Sequence, residues 1–113
     1  MPAYDVFHDD VKQGLIKEGW TITDDPFRLS YGGTELYVDL GAERLTIGAA
    51  KGEQQIAVEV QSFLGVSPMR DLEEAIGQFQ LYRMLLSETE PARTLYLAVP
   101  RHVYDRVFIE PLG

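Results

Sequence analysis

The sequence predicts an α/β fold in which a mixed β-sheet is flanked by helices. Three observations predict it: helical spacing of apolar residues near the start, several short runs rich in β-branched and aromatic residues, and a second helical pattern before the last of these runs. A helix that joins two strands makes a crossover, so we expect those two strands to be parallel. The earlier strands, which short turns connect, should be antiparallel.

The first helix is predicted over residues 2–19. Phe7, Val11 and Leu15 recur every four residues, which places them on one helical face. The segment begins with a proline, which suits a first turn, and ends with a glycine, which suits a C-terminal cap. The polar segment 21–26 that follows is predicted to be a connector.

Strands are predicted over residues 27–31 and 34–40, and the Gly-Gly pair between them predicts a tight hairpin turn. Gly41 is expected to kink the second strand. Residues 45–50 continue that strand or form the next one, and Lys51-Gly52 is expected to make the following turn.

The second half is predicted to contain a strand over residues 55–63, a long helix from residue 68 to about residue 87, and a strand over residues 94–99. Ser67 is a suitable N-cap, and a proline follows it at the first helical position. The last predicted strand is almost continuously apolar, as expected when both faces of a sheet are covered. A short final helix is predicted over residues 101–108.

The composition indicates one domain, spanning residues 1–113, that is large enough for a hydrophobic core. No apolar run approaches 18 residues, so we expect a soluble cytoplasmic protein without a membrane segment. The absence of cysteine excludes disulfides and thiolate metal sites. With only His8 and His102, a histidine-rich zinc site is disfavoured, and His8 is expected to be a packing or surface residue.

The charge of the chain limits the partners that it can bind alone. Its formal net charge is −8, whereas proteins that grip a long stretch of DNA rely on lysine and arginine. A small metal-bridged phosphate site remains compatible with this charge, and a basic partner protein could supply the missing electrostatics. Oxygen ligands are available, which favours magnesium, manganese or calcium if a metal binds.

Two acidic residues, Asp39 and Glu59, stand inside apolar runs that are predicted to be strands. Side chains alternate between the two faces of a strand, so each carboxylate should point away from its apolar neighbours. The groups expected to share a face are Leu36, Val38 and Leu40 in the first strand, and Ile56, Val58 and Val60 in the second, with Ala57, Glu59 and Gln61 opposite. A buried carboxylate needs a hydrogen-bond partner, a counter-ion or a metal, and two on neighbouring strands repel unless something positive lies between them.

This element order, with Asp39 on one central strand and Glu59 on the next, resembles the restriction-endonuclease-like fold of the PD-(D/E)xK nuclease superfamily. The family pattern is an acidic residue and, on the next strand, an acidic residue, any residue and lysine. Asp39 matches the first acid and Glu59 the second, but Gln61 stands where the lysine belongs. The resemblance implies that Asp39 and Glu59 hold Mg²⁺ or Mn²⁺, which would polarise a phosphodiester and help to generate hydroxide from water.

A second match to that superfamily lies on the following helix. Gln78 and Tyr82 fit the Gln-x-x-x-Tyr element of its RecB-like members. Residues four apart project from the same side of a helix, so these two side chains should lie together. The resemblance implies that they help to position the substrate or the metal site.

Over essentially its whole length the chain is similar to the XisH family. The segments that carry this similarity are 7–9, 18–23, 36–43, 57–60, 62–63, 95–100 and 110–113. Members of that family are described as controlling factors for the excision of a DNA element, and they work with a small partner, XisI, and a separate recombinase. The resemblance therefore implies a role in DNA rearrangement with an XisI-like partner. Direct binding to DNA and self-association are left open.

Gln61 departs from the XisH family pattern, in which the strand reads Val-Glu-Val-Lys-Ser-Phe. Glutamine could still bind water or phosphate, but it is neutral and cannot offset the charge of an oxyanion as lysine does. The loss of one such group costs about 10²–10³ in rate. Three functions therefore stay open: an excision factor that acts with a partner, an active Mg²⁺-dependent nuclease, and a non-catalytic scaffold for its partner.

Other residues of the chain could belong to a nuclease site. Lys51, Lys12 or Lys17 could replace the missing lysine, and Asp9 or Asp10 could supply a third metal ligand. Acidic residues near a helix start more often complement the helix dipole, and helix lysines are usually solvated. The alternative for the carboxylate pair itself is a structural role, in which backbone amides or basic neighbours hold it.

Overall fold

A computed structural model of the chain describes residues 6–46, 52–62 and 67–101. Its elements are α1 (Val6–Lys17), β1 (Thr21–Asp24), β2 (Phe27–Tyr31), β3 (Thr34–Val38), β4 (Leu40–Thr46), β5 (Gly52–Val60), α2 (Pro68–Thr89) and β6 (Arg93–Ala98). The predictions for residues 2–5, for the turn at Lys51 and for the helix beyond Arg101 fall outside the described residues.

The described strands form one main sheet and a separate hairpin. The main sheet has the order β1-β4-β5-β6, in which β4 is antiparallel to both β1 and β5, and β6 is parallel to β5. The hairpin consists of β2 and β3. The helix α2 connects β5 to β6 and supplies the crossover that parallel neighbours require. This mixed sheet flanked by helices confirms the predicted α/β class.

The predicted helix and turn signals are confirmed. Gly19 adopts a φ of 92°, the left-handed conformation of a helix C-cap. The Ser67 hydroxyl accepts a hydrogen bond from the backbone N–H of Arg70 at 3.3 Å and caps α2. Gly32 and Gly33 have φ values of 58° and 82°, the pair of positive values that a tight hairpin turn requires.

Two apolar clusters cover opposite faces of the main sheet. The α2-side core consists of Phe27, Leu29, Val38, Ala57, Tyr82, Leu85, Leu86 and Leu95. The α1-side core consists of Leu40, Ala42, Ile56 and Val58, with Val11, Leu15, Trp20, Ile22, Val60 and Ala98 packed against it. The strand β5 alternates between the two clusters, as predicted, so Glu59 lies on the same face as Ala57, beneath α2.

The prediction of one continuous strand over residues 34–40 is wrong. The hairpin strand ends at Val38, β4 begins at Leu40, and Asp39 occupies the bend between them. Val38 is buried in the α2-side core and Leu40 in the α1-side core, so the expectation that they share a face is also wrong. The chain leaves the hairpin and enters the main sheet at Asp39, which interrupts the alternation of side chains.

Gly41, which was predicted to kink the strand, allows the hairpin to approach the main sheet closely. A Cβ atom at this position would lie 2.9 Å from Cδ2 of Phe27 and 3.0 Å from Oδ2 of Asp24. Both separations are shorter than ordinary contacts, so a larger residue would push β2 away from β4. The absence of a side chain at Gly41 therefore permits this close approach of Phe27 and Asp24.

The segment 21–26, predicted to be a connector, contains the edge strand β1. Its polar composition reflects its position, because an edge strand that is largely exposed needs few apolar residues. Ile22 packs against the α1-side core and anchors the strand. No helix among the described residues is both long enough and apolar enough to span a membrane.

Candidate functional site: a carboxyl pair between β4 and β5

Asp39 and Glu59 are held side by side where the bend meets the main sheet. The register pairs Leu40 with Val58, which brings the preceding Asp39 beside Glu59. Oδ2 of Asp39 accepts a hydrogen bond from the backbone N–H of Val60 at 2.7 Å. The backbone N–H of Asp39 in turn donates to the carboxyl group of Glu59. Each acid is therefore held by a backbone N–H of the other segment.

The environment of Glu59 changes its acidity. Only 6% of the residue is exposed, and this burial, with the hydrogen bond and the negative charge of Asp39, raises the pKa of Glu59 to about 9. A hydrogen bond between two carboxyl groups also requires a proton on one of them. Glu59 therefore keeps its proton at neutral pH, and that proton relieves the repulsion expected from the sequence.

Gln78 and Tyr82 lie on α2, which covers the same face of β5. Nε2 of Gln78 donates a hydrogen bond to the Tyr82 hydroxyl at 3.0 Å, so the two side chains do project together. Burial raises the pKa of Tyr82, and the negative charge that Glu59 carries once it is ionised raises it further, as does that of Asp39, against the effect of the Gln78 hydrogen bond. The phenol thus lies within electrostatic reach of both acids, and its role in a site stays a prediction.

Gln61 follows the end of β5 and is half-buried. Its backbone N–H donates to the carbonyl oxygen of Ala98 at 2.9 Å, which extends the pairing with β6 by one residue. It therefore lies two residues beyond Glu59 on an extended segment, at the position where the nuclease motif has its lysine. The amide side chain brings no charge to this position, and its catalytic role also stays a prediction.

The residues of the first helix that could have joined the site do not lie beside Asp39 and Glu59. Asp9 and Asp10 are exposed on α1, which packs against the opposite face of the sheet. Nζ of Lys12 lies 2.8 Å from Oδ2 of Asp25, and Lys17 is exposed. Among the described residues, no group of three or more histidine, aspartate or glutamate side chains is arranged to hold a metal. A carboxylate site in this part of the chain therefore rests on two acids.

Sequence reasoning missed a charged cluster at the other end of α1. His8 is buried, as expected of a packing residue, and its Nε2 lies 2.9 Å from Oδ1 of Asp25. Burial alone would raise the pKa of Asp25, but hydrogen bonds and positive charge from Lys12 and His8 bring it below its ordinary value. The cluster fastens α1 to the turn between β1 and β2. The residues are too far apart in sequence for spacing to reveal it.

Arg93 is a second buried charge that the sequence did not reveal. Its guanidinium lies 4.4 Å from the centre of the Phe27 ring, donates to the carbonyl oxygen of Ile56 at 2.8 Å and donates to Oε1 of Glu90 at 3.2 Å. These contacts join the hairpin, the main sheet and the end of α2. They satisfy the buried charge locally, which gives Arg93 a structural role.

The chemistry of the carboxyl pair fits a divalent cation of the hard class. Carboxylate oxygens are ligands that Mg²⁺ and Mn²⁺ prefer. One oxygen of Asp39 is engaged by the amide of Val60, and Glu59 must lose its proton before it can bind a cation well. Binding of a cation would therefore be coupled to release of a proton.

Two solved structures are similar to this chain. One is an XisH family protein from Nostoc punctiforme PCC 73102, with 43% sequence identity and a TM-score of 0.81, over 96% of this chain and 78% of that chain. The other is an FdxN element excision controlling factor protein from Anabaena variabilis, with 47% identity and a TM-score of 0.80, over 94% of this chain and 77% of that chain.

Comparison with sequence families gives the same result. No curated protein matches the sequence. The family model described as XisH protein matches residues 1–113, the whole sequence. The chain belongs to the XisH family.

Proposed function

We propose that this protein is a controlling factor for the excision of a DNA element and that it acts with an XisI-like protein partner. The observation that carries the proposal is its similarity to the excision controlling factor of Anabaena variabilis, with 47% identity over 94% of this chain.

The electrostatics support action through a partner. With a net charge of −8, the chain is poorly suited to neutralise a series of DNA phosphates alone. A basic partner or a recombinase would supply the phosphate contacts, and this protein would add the carboxyl pair to the complex.

The second candidate function is a nuclease of the PD-(D/E)xK type. Three features favour this ancestry: a mixed sheet between helices, the acid pair at its centre, and the Gln78–Tyr82 pair on the adjacent helix. A divalent cation at the pair would polarise a phosphodiester oxygen. Asp39 and Glu59 would hold the cation, while Gln78 would orient the Tyr82 hydroxyl beside it. The neutral Gln61 favours the third candidate instead, a nuclease-like scaffold without catalysis.

An excision assay in cells tests the main proposal. In a host that carries the DNA element, deletion of the gene should abolish the excised circle and its joined chromosomal ends, and the wild-type protein should restore both. The double variant Asp39→Asn/Glu59→Gln should restore neither if the pair is needed. The matched control is Asp9→Asn/Asp10→Asn, which also replaces two acids by amides, at exposed positions of α1.

Two outcomes of this assay have distinct meanings. Normal excision after deletion of the gene contradicts the role in excision. If Asp39→Asn/Glu59→Gln restores excision fully, the role in excision stands, but the protein then acts as a non-catalytic scaffold.

A further inference from the structure

The outer edge of β6 and the adjoining flank of α2 form an apolar groove. Within residues 6–46, 52–62 and 67–101, β6 pairs with β5 alone, so its other edge faces the groove. The groove encloses about 410 Å³ and is lined by Ile76, Phe79, Gln80, Leu95, Tyr96 and Leu97. Ile76 is 47% exposed and Tyr96 is 54% exposed. Apolar side chains beside an open strand edge are typical of a surface that pairs with another strand.

The charges on the flank of α2 that borders this groove are complementary to those of a second, antiparallel copy of the same flank. Glu73, Ile76, Gln80 and Arg83 follow one another at intervals of three and four residues, so they lie along one side of the helix. If two copies of α2 lie antiparallel with Ile76 of one opposite Gln80 of the other, Glu73 lies opposite Arg83 of the second copy. The two-fold symmetry repeats this contact, so the interface contains two ion pairs, each between a glutamate and an arginine.

The edge of β6 fits the same two-fold axis. Tyr96 lines the same groove as Ile76 and Gln80, so we place the two-fold axis beside the middle of the α2 flank and close to Tyr96. About that axis, β6 would pair antiparallel with a second β6, and Tyr96 would face Tyr96 of the other copy. The two main sheets would join into one, with both α2 helices on the same face. Strand pairing and helix packing therefore require the same symmetry operation.

We propose that a second copy of this chain occupies the groove and forms a two-fold symmetric dimer through β6 and the Glu73–Arg83 flank of α2. A second copy would pair with the open edge of β6, cover the exposed apolar residues of the groove and place an arginine opposite Glu73. The proposal goes beyond the role in excision and does not depend on it, because a monomer could also act as a controlling factor.

A charge-swap experiment on the full chain tests the helix contact. Sedimentation equilibrium should show a dimer for the wild type, and Glu73→Arg or Arg83→Glu should each raise its dissociation constant about tenfold, because two pairs become repulsive together. The double variant Glu73→Arg/Arg83→Glu should return the constant to near the wild-type value. Glu74→Arg is the matched control, since Glu74 is exposed on another side of α2.

A cross-link tests the strand contact. The chain has no cysteine, so Tyr96→Cys introduces a single thiol at the proposed axis. Mild oxidation should give a disulfide-linked dimer, whereas Ser30→Cys in the hairpin should stay uncross-linked under the same conditions. A monomer at every concentration overturns the proposal. A dimer that ignores the charge swaps and does not cross-link through Tyr96→Cys overturns it as well, because the interface would then lie elsewhere.

Discussion

Replacement of Glu59 by glutamine is expected to raise the free energy of unfolding at neutral and alkaline pH. The folded protein keeps a proton on Glu59 up to a pKa of about 9, whereas the unfolded chain releases it near the ordinary glutamate value of 4.5. Between these limits the unfolded state binds fewer protons, so the stability of the wild type falls as the pH rises. Glutamine stays neutral and can still donate a hydrogen bond to Asp39, so the variant should lack this decline.

The measurement is urea denaturation of both proteins at several pH values from about 5 to about 9. The wild-type curve should fall with pH, while the Glu59→Gln curve should fall less steeply and lie above it at the alkaline end. Asp25 does not interfere, because its lowered pKa affects stability only as the pH falls below its ordinary value of 3.8. Asp10→Asn, at an exposed position, is the control. Parallel curves for wild type and Glu59→Gln would contradict the raised pKa.

Replacement of Gln61 by lysine is expected to raise metal-dependent DNA cleavage by about 10²–10³, if the fold is competent for catalysis. The reason is electrostatic, because lysine would place a positive charge where the oxyanion develops, two residues beyond Glu59. Cleavage should be measured with Mg²⁺ or Mn²⁺, in the presence and absence of an XisI-like partner. Gln61→Met, which is similar in length but neutral, is the matched control and should stay at the wild-type level.

A second variant links any gain to the carboxyl pair. Glu59→Gln combined with Gln61→Lys should lose the activity that lysine adds, since the cation site would be incomplete. If neither the wild type nor Gln61→Lys cleaves DNA under any of these conditions, the nuclease candidate should be abandoned, and the proposed role in excision would then rest on the partner complex.

Local signals in the sequence predicted much of the fold. The Gly32-Gly33 turn, the Gly19 and Ser67 caps and the alternation along β5 depend on a residue and its near neighbours, so their chemistry is readable from the chain. The bend at Asp39 is different. The alternation of apolar residues continues through it, and Gly41, which follows the bend, lies close to Phe27, a contact between segments that are separate in the sequence.

Some features of the candidate site were also predictable from the sequence, and others were not. The order of the elements was enough to predict that Asp39 and Glu59 come together, and the helical spacing was enough to predict that Gln78 lies beside Tyr82. The shared proton could not be predicted, because it depends on how deeply Glu59 is buried and how closely Asp39 approaches it. The His8–Asp25 contact joins residues 17 positions apart through the packing of α1, so no sequence motif predicts it.

We propose that Asp39 and Glu59 form a cation site whose occupation displaces a proton. Titration calorimetry with Mn²⁺ at neutral pH tests it most directly. The wild type should bind the ion with a heat that depends on the ionisation enthalpy of the buffer, because Glu59 releases its proton as the cation enters. Asp39→Asn and Glu59→Gln should lose this binding, while Asp9→Asn/Asp10→Asn should keep it. Failure of the wild type to bind, or equal binding by Glu59→Gln, would contradict the claim.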